Sequence, residues 1–295
     1  MEAAPRPLPM PLARRRIPKA VRRKRLLVAV ADHAVLIGLA IAFLAPFVFI
    51  ILTALMTSDQ ALSSHLWPEP FHFSNFADVF DRAPLFRYGV NTFLYAGLAT
   101  IGMLISSVPV AYALSKLRWK GRDVVFILVL VTMMLPPQVT IVPLYVMFSK
   151  LHLIGSIWPL VIPNWFGDAF SIFLLRQFFL TIPDEYADAA RMDGAGEFRV
   201  MLHVVVRLAK PALVAVALFS FLFAWNDFFG PLLYTGENQN NWTLSVGLAQ
   251  FRTLHQVQWN LTMAATLLFM APVIALFFAA QKAFVEGVTL TGVKG

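Results

Sequence analysis

The chain has 295 residues, 59% of them hydrophobic, with 27 Phe and a mean hydropathy of +0.70. That is more apolar surface than one soluble core can hide, so a multi-span membrane protein is the expected class. The net charge of +8 does not read as a nucleic-acid surface, because nine of the 24 Lys and Arg precede Leu26 in a terminal arm, and the absence of Cys excludes disulfides, thiolate metal sites and Cys nucleophiles.

In chain order, residues 1–25 form a basic, Pro- and Arg-rich arm that is expected to be disordered. The apolar run after it, Leu27–Leu55, is too long for a signal-peptide core and reads as an uncleaved first span. Five further stretches carry the roughly 20 apolar residues a spanning helix needs: Tyr88–Leu114, Val124–Phe148, Ser156–Leu180, Leu208–Leu233 and Leu261–Val285. The expected fold class is all-α, a six-span polytopic membrane helix bundle over residues 26–286, with a charged loop at 181–210 and a polar tail at 287–295. Of the Lys and Arg outside these cores, 20 fall on the side of the N-terminal arm and four, Arg82, Arg87, Lys150 and Arg252, on the other. The positive-inside rule then places both termini in the cytoplasm.

Prolines punctuate the third span: Pro136-Pro137 and Pro143 predict a broken or kinked helix. In the fourth, Pro163-Asn-Trp-Phe-Gly-Asp168 sets an amide, an indole and a carboxylate inside the membrane, where charge is costly and usually faces a bundle interior or water. Asn164, Trp165 and Asp168 are therefore candidates to line a polar pathway through the bundle, with an amide and a carboxylate to hydrogen-bond a polar solute and an indole to stack on it. Helix-to-helix contact is the plainer alternative. The fifth span has Trp225-Asn226-Asp227 before Gly230-Pro231, where a helix break is expected. These three are also pathway candidates, with a structural role the favoured reading.

Between spans four and five lies EYADAARMDGAG, Glu185 to Gly196. Thr181-Ile-Pro-Asp184 reads as a helix start, with Thr181 as the capping side chain, and Gly194 as the stop. About 12 residues at 1.5 Å each give about 18 Å, too short for a hydrocarbon core of about 30 Å. Ala187, Ala189, Ala190 and Gly194 are small enough for another surface to approach closely, and Tyr186, Ala189, Ala190 and Asp193 recur at helical spacing. The residues alone leave two readings open, a docking helix and a solvated helix that closes a loop.

The run from Ile182 to Phe198, followed by Arg207-Leu-Ala-Lys-Pro211, resembles the EAA loop of permease subunits in binding-protein-dependent ATP-binding-cassette importers, in the maltose-type carbohydrate branch. Met134-Leu-Pro-Pro-Gln138, the stretch Ile172 to Phe179, Trp225-Asn-Asp-Phe-Phe229 and the terminal Gly292-Val-Lys-Gly295 extend the similarity to the C-terminus. Two positions depart: Asp188 stands where the family usually has Glu, and Arg207 where it usually has Pro, from which a straighter beginning to span five is expected. The resemblance implies the type I importer permease fold, with residues 182–194 as a coupling helix seated on an ATPase through Glu185, Asp188, Ala189, Ala190, Asp193 and Gly194. It implies as partners a second, homologous permease, two ATPase subunits that use ATP and Mg, and an extracytoplasmic sugar-binding protein, free or lipid-anchored. It also implies a bacterial cytoplasmic-membrane location and a tail that reaches the ATPases.

The chain itself has no G-x-x-x-x-G-K-[ST] and no clustered His with metal-ligand spacing, so no cofactor, metal or catalytic residue is expected in it. The rival from another class is a self-sufficient channel or secondary transporter in which Asp168 and Asp227 carry ions. An integral-membrane enzyme using the same two carboxylates has no supporting motif.

Overall fold

The computed structural model describes residues 19–250 and 258–292, and every regular element among them is helical. Two compact units are distinguished, residues 1–50 and 51–295. The first contains most of α1 (Lys19–Ala54), which begins inside the basic arm. Residues 19–25 are thus helical where disorder was expected, while residues 1–18 lie outside the described residues.

The second unit runs through α2 (Ser58–Ala61), α3 (Asn75–Arg82), α4 (Leu85–Ser115), α5 (Arg122–Met133), α6 (Pro137–Lys150) and α7 (Trp158–Val161). A 3-10 turn (Ile162–Phe166), α8 (Ala169–Thr181), α9 (Asp184–Met192), α10 (Glu197–Val200), a π turn (Met201–Val205) and α11 (Val206–Leu208) follow. The chain then continues through α12 (Lys210–Asn226), α13 (Phe229–Thr235), α14 (Leu244–Gln250) and α15 (Trp259–Gly292).

Among the described residues four helices are long and apolar enough to cross a membrane: Val28–Ala54, Leu85–Ser115, Trp158–Thr181 and Trp259–Gln281. Two bent pairs, Arg122–Met133 with Gln138–Lys150 and Glu197–Leu208 with Lys210–Asn226, bring the number to the expected six if each counts as one crossing. The first pair turns by 91° at the paired prolines, where Pro136 is extended (φ −60°, ψ 132°) and Pro137 opens the next helix. The second turns by 83° at Ala209, so the straighter path expected from Arg207 is not what forms. Pro211 explains it: the proline has no N–H for the Arg207 carbonyl, and its ring would crowd that carbonyl in a continuous helix. The helix restarts with Pro211 in its first turn, where no intrahelical donor is needed.

Span five ends earlier than expected. Helix α12 stops at Asn226, and Gly230-Pro231 falls inside the first turn of α13 rather than at the break. Seventeen residues of α12 rise about 26 Å, a little less than the hydrocarbon thickness. Helix α15 runs on into the tail expected from 287, staying helical to Gly292; residues 293–295 lie outside the described residues.

Helix α4 is the hub of the second unit, packing against α8, α12 and the 3-10 turn. In lipid the hydrophobic effect does not drive helix pairing, so close approach through small residues has to supply the contact. Ala96, Ala99 and Ala111 on α4 are buried, and Gly102 lies so close to the Trp165 indole that an added Cβ would sit 2.1 Å from a ring carbon. At one end of α4, Met103, Val108, Ala111 and Tyr112 share a core with Leu175, Phe178, Ala187 and Val200. Toward the other end, Tyr95, Ala96 and Ala99 join Phe148, Leu160, Trp225 and Tyr234.

Candidate coupling surface and pathway residues

Helix α9 is nine residues long, about 14 Å at 1.5 Å per residue, shorter than expected and too short to cross. Its start differs in detail. Pro183 occupies the position before the first turn and no side chain caps the helix. Thr181 is still the last residue of α8, and its hydroxyl donates to the Phe178 carbonyl at 2.7 Å, satisfying an open carbonyl of that helix. Asp184 and Glu185 in the first turn meet the positive end of the peptide dipoles.

The other end stops as the sequence predicts. Gly194 is left-handed (φ +82°), the Ala195 N–H donates to the Ala190 carbonyl and the Gly194 N–H to the Arg191 carbonyl, both at 3.0 Å. This is the Schellman arrangement, which satisfies two terminal carbonyls and requires a residue tolerant of positive φ.

The two faces of α9 are unlike. Ala187 is 2% exposed and Ala190 packs against the same core, so Ala190 faces its own chain rather than the surface expected for it. Glu185, Tyr186, Asp188, Ala189, Asp193 and Gly194 are exposed, with Met192 86% and Phe198 71% exposed beside them. Two large apolar side chains are thus open beside the carboxylates of α9.

Ion pairs join α9 to the end of α4. The Lys116 ammonium, on a side chain only 3% exposed, donates to the Asp184 carboxylate at 2.6 Å and to the Ile182 carbonyl at 2.5 Å. At the far end Arg191 reaches Asp188 at 2.7 Å and Glu197 at 2.8 Å, and Glu197 accepts the Tyr112 hydroxyl at 2.5 Å. Asp188 therefore pairs within its own helix, and its shorter side chain suffices for that contact. The Lys116 hydrogen bond holds the Asp184 carboxyl below the usual carboxylate range, against a smaller opposing effect of burial. A cavity of about 720 Å³ lies beside this network, lined by Lys116, Arg118, Trp119, Asp184, Arg191 and Glu197. Sequence reasoning counted Lys116 only as a basic loop charge and missed Tyr112 and Glu197. The signal available was the placement of Lys116 immediately after a span and Glu197 immediately after the Gly-Ala-Gly stop.

The span-four candidates are held by local bonds. The Asn164 amide donates to the Leu160 carbonyl at 2.9 Å and the Trp165 indole N–H to the Leu98 carbonyl at 3.1 Å. Trp165 remains 44% exposed. Asp168 is the N-cap of α8: Oδ2 accepts from the Ser171 N–H at 2.7 Å and from its hydroxyl at 2.5 Å, and the Asp168 N–H donates to Ser107 on α4 at 3.1 Å. Because Asn caps as well as Asp, Asp168→Asn is expected to keep the thermal midpoint, whereas Asp168→Ala should lose about 0.5–2 kcal/mol. Uptake assays on the Asn variant then isolate the charge, and wild-type uptake would reduce Asp168 to its capping role.

The span-five candidates separate. Trp225 is 2% exposed, stacked on Phe221 with ring centroids 5.5 Å apart. That burial places it in the core, not on an open pathway surface. Asp227 is tied down at the break: Oδ1 accepts from the Gly230 N–H at 3.1 Å, Oδ2 accepts from the Tyr95 hydroxyl at 3.0 Å, and its carbonyl accepts from Ser245 at 2.6 Å. These bonds satisfy backbone freed by the break, as membrane depth requires. Asn226 alone of the three is exposed, and it borders a cavity of about 340 Å³ with Phe228, Ser245, Thr262 and Thr266. Among the described residues no group of three or more His, Cys, Asp or Glu is placed to hold a metal ion.

A polytopic helical chain that carries a short helix with one open face, braced by ion pairs against a spanning helix, has the form of a membrane transport subunit. Residues 99–290 match the family model of the binding-protein-dependent transport system inner membrane component. The chain belongs to that family. It is 32% identical to a probable ABC transporter permease of Bacillus subtilis, over 87% of this chain and 85% of that protein. It is 30% identical to the arabinooligosaccharides transport system permease of the same organism, over 87% and 92%. It is 33% identical to the sn-glycerol-3-phosphate transport system permease of Yersinia enterocolitica, over 76% and 79%. A chain from the crystal structure of a bacterial ABC transporter involved in import of the acidic polysaccharide alginate matches with a TM-score of 0.76 at 25% identity, covering 89% of this chain and 98% of its own. The protein is a multi-pass inner-membrane permease subunit of an ABC importer.

Proposed function

We propose that this permease forms half of the pathway of an ATP-driven importer for sugars or related polyol derivatives, and that α9 is the helix through which it receives the work of an ATPase. The observation that carries the reading is the pairing of an exposed face around Tyr186, Ala189 and Met192 with an opposite face bonded to α4 through Lys116 and Glu197. A force applied to such a helix passes into a spanning helix without depending on a flexible loop. The partners are a second permease, two ATPase subunits that bind ATP and Mg, and an extracytoplasmic sugar-binding protein. Both termini and α9 lie in the cytoplasm, in keeping with the positive-inside count. The chain contributes no catalytic residue.

ATP binding would draw the two ATPases together, move α9 as a rigid lever and turn the pathway outward. Hydrolysis would restore the inward state, so nucleotide and loaded binding protein bias one two-state element. Among the pathway candidates, Trp165 and Asn226 have the exposure a substrate contact needs. The carbohydrate class follows from the arabinooligosaccharide relative, and a phosphorylated polyol from the glycerol-phosphate relative. Purification should recover the chain with ATPase subunits whose hydrolysis rises when sugar-loaded binding protein is added. Uptake by the purified chain alone would overturn the reading in favour of a self-sufficient transporter.

A further inference from the structure

The loop between α2 and α3 carries an open aromatic surface. Leu66 is 72% and Phe73 69% exposed, and Leu62, Trp67 and Phe71 are exposed with them. The segment is nonetheless built to a fixed shape. Thr57 and Gln60 form a reciprocal capping box at the start of α2, both bonds at 3.2 Å, and the Gln60 amide also donates to the Glu69 carbonyl. That bond clasps the two sides of the loop. Pro68 between them is buried. The rings form a run in which Trp67 meets Phe71 edge-on with centroids 5.9 Å apart, and Phe71 stacks on Phe73 at 6.3 Å. Apolar surface preorganised in this way marks a contact with protein or with membrane.

Depth decides between the two. The His72 N–H donates at 2.8 Å to the carbonyl of Leu55, one residue beyond α1, and the Asn75 amide donates to the carbonyls of Ala54 and Met56, both at 2.8 Å. Phe71 and Phe73 therefore flank a residue bonded to the end of the first span. Ala54 shares a core with Val79 of α3 and with Leu85, the first residue of the span formed by α4, and Phe86 beside it is 77% exposed. The ring run and two span ends thus meet at one level. That level is the border of the hydrocarbon, where Trp, Phe and Leu side chains settle among headgroups and the first acyl carbons. From Leu62 to Phe73 the chain has no Lys or Arg and a single carboxylate, Glu69, which suits lipid better than a charged protein partner. We infer that residues 62–73 are a membrane-interface anchor, with Leu66, Trp67, Phe71 and Phe73 sunk into the leaflet beside the ends of these spans. The bonds of His72 and Asn75 pass the grip of the lipid to the end of α1.

The chain contains no Cys, so Leu66→Cys, Phe73→Cys and Glu237→Cys can each carry a single nitroxide label. Glu237 is exposed in the loop tied to the start of α4 through Gln239, which donates to the Tyr88 hydroxyl at 3.0 Å, and it serves as the aqueous reference on the same side. The full chain, with the subunits that copurify with it, is reconstituted in liposomes of phosphatidylethanolamine and phosphatidylglycerol. Collision rates with oxygen and with a water-soluble nickel complex then give the depth of each label. Labels at 66 and 73 should lie about 5–10 Å into the headgroup and acyl boundary, open to oxygen and shielded from nickel, with the reference in water. If Phe73→Cys does not fold, Leu66→Cys decides the matter. Labels as open to nickel as the reference would overturn the anchor. So would labels shielded from nickel only once a sugar-binding protein is added, or shielded from oxygen as well, because either result means a protein cover in place of lipid.

Discussion

Lys116→Ala is expected to leave ATPase subunits able to hydrolyse ATP while uptake per ATP falls. The Lys116 side chain is buried and bridges the Ile182 carbonyl and the Asp184 carboxylate. Removing it strands the carbonyl of Ile182, a residue itself only 8% exposed, and a buried acceptor left unpaired costs about 1–3 kcal/mol. That energy corresponds to about a 5- to 150-fold change in how often α9 sits seated against α4. The Asp184 side chain is 62% exposed and regains water, so most of the loss comes from the backbone. Reconstituted complexes assayed for hydrolysis and uptake in parallel give the ratio directly, and an unchanged ratio would remove Lys116 from the coupling route. The same bond predicts a pH signature. The Asp184 pKa is lowered in the folded state, so its contribution is complete above the ordinary carboxylate pKa of about 4 and is lost as pH falls through the depressed folded value. The gap between wild type and Lys116→Ala should therefore be widest at neutral pH and narrow in acid by the Asp184 share, while the larger share from the Ile182 carbonyl persists.

Gly194→Leu should be the second uncoupling variant, for a different physical reason. The glycine sits at φ +82°, and a Cβ built there meets nothing within 4 Å in this chain. The intramolecular cost is therefore backbone strain, about 1–2 kcal/mol for a residue forced into the left-handed region, while the added side chain projects toward the surface assigned to the ATPase. Asn tolerates positive φ and preserves the stop. Gly194→Asn is expected to keep the thermal midpoint and part of the uptake, with Gly194→Leu losing about tenfold or more. Wild-type uptake in Gly194→Leu would count against α9 as the docking element.

Composition and hydropathy made the membrane class legible, and residue chemistry made several local features legible too. Pro136-Pro137 broke its helix as a missing donor must, and Gly194 ended α9 where only a positive φ closes the turn. What failed depended on tertiary context. Thr181 could have capped α9 but remained on α8, and Ala190 could have faced either way until the core around Ala187 fixed its side. Helical spacing identifies a face without saying which neighbour it meets. The intramembrane carboxylates illustrate the same limit: Asp168 and Asp227 looked like pathway charges because they are costly in lipid, yet both bond to nearby backbone. A helix N-terminus or a helix break is an equally good reason for a carboxylate at that depth.

The two bent crossings carry a consequence for the lipid itself. An unbroken helix such as α4, 31 residues long and about 46 Å along its axis, can match a thinner bilayer only by tilting, kinking or thickening the lipid around it. The elbows at Pro136-Pro137 and Ala209 allow a change of angle between two short arms. Acyl-chain length should therefore act on those elbows first, making transport rate a function of bilayer thickness as well as of nucleotide and substrate.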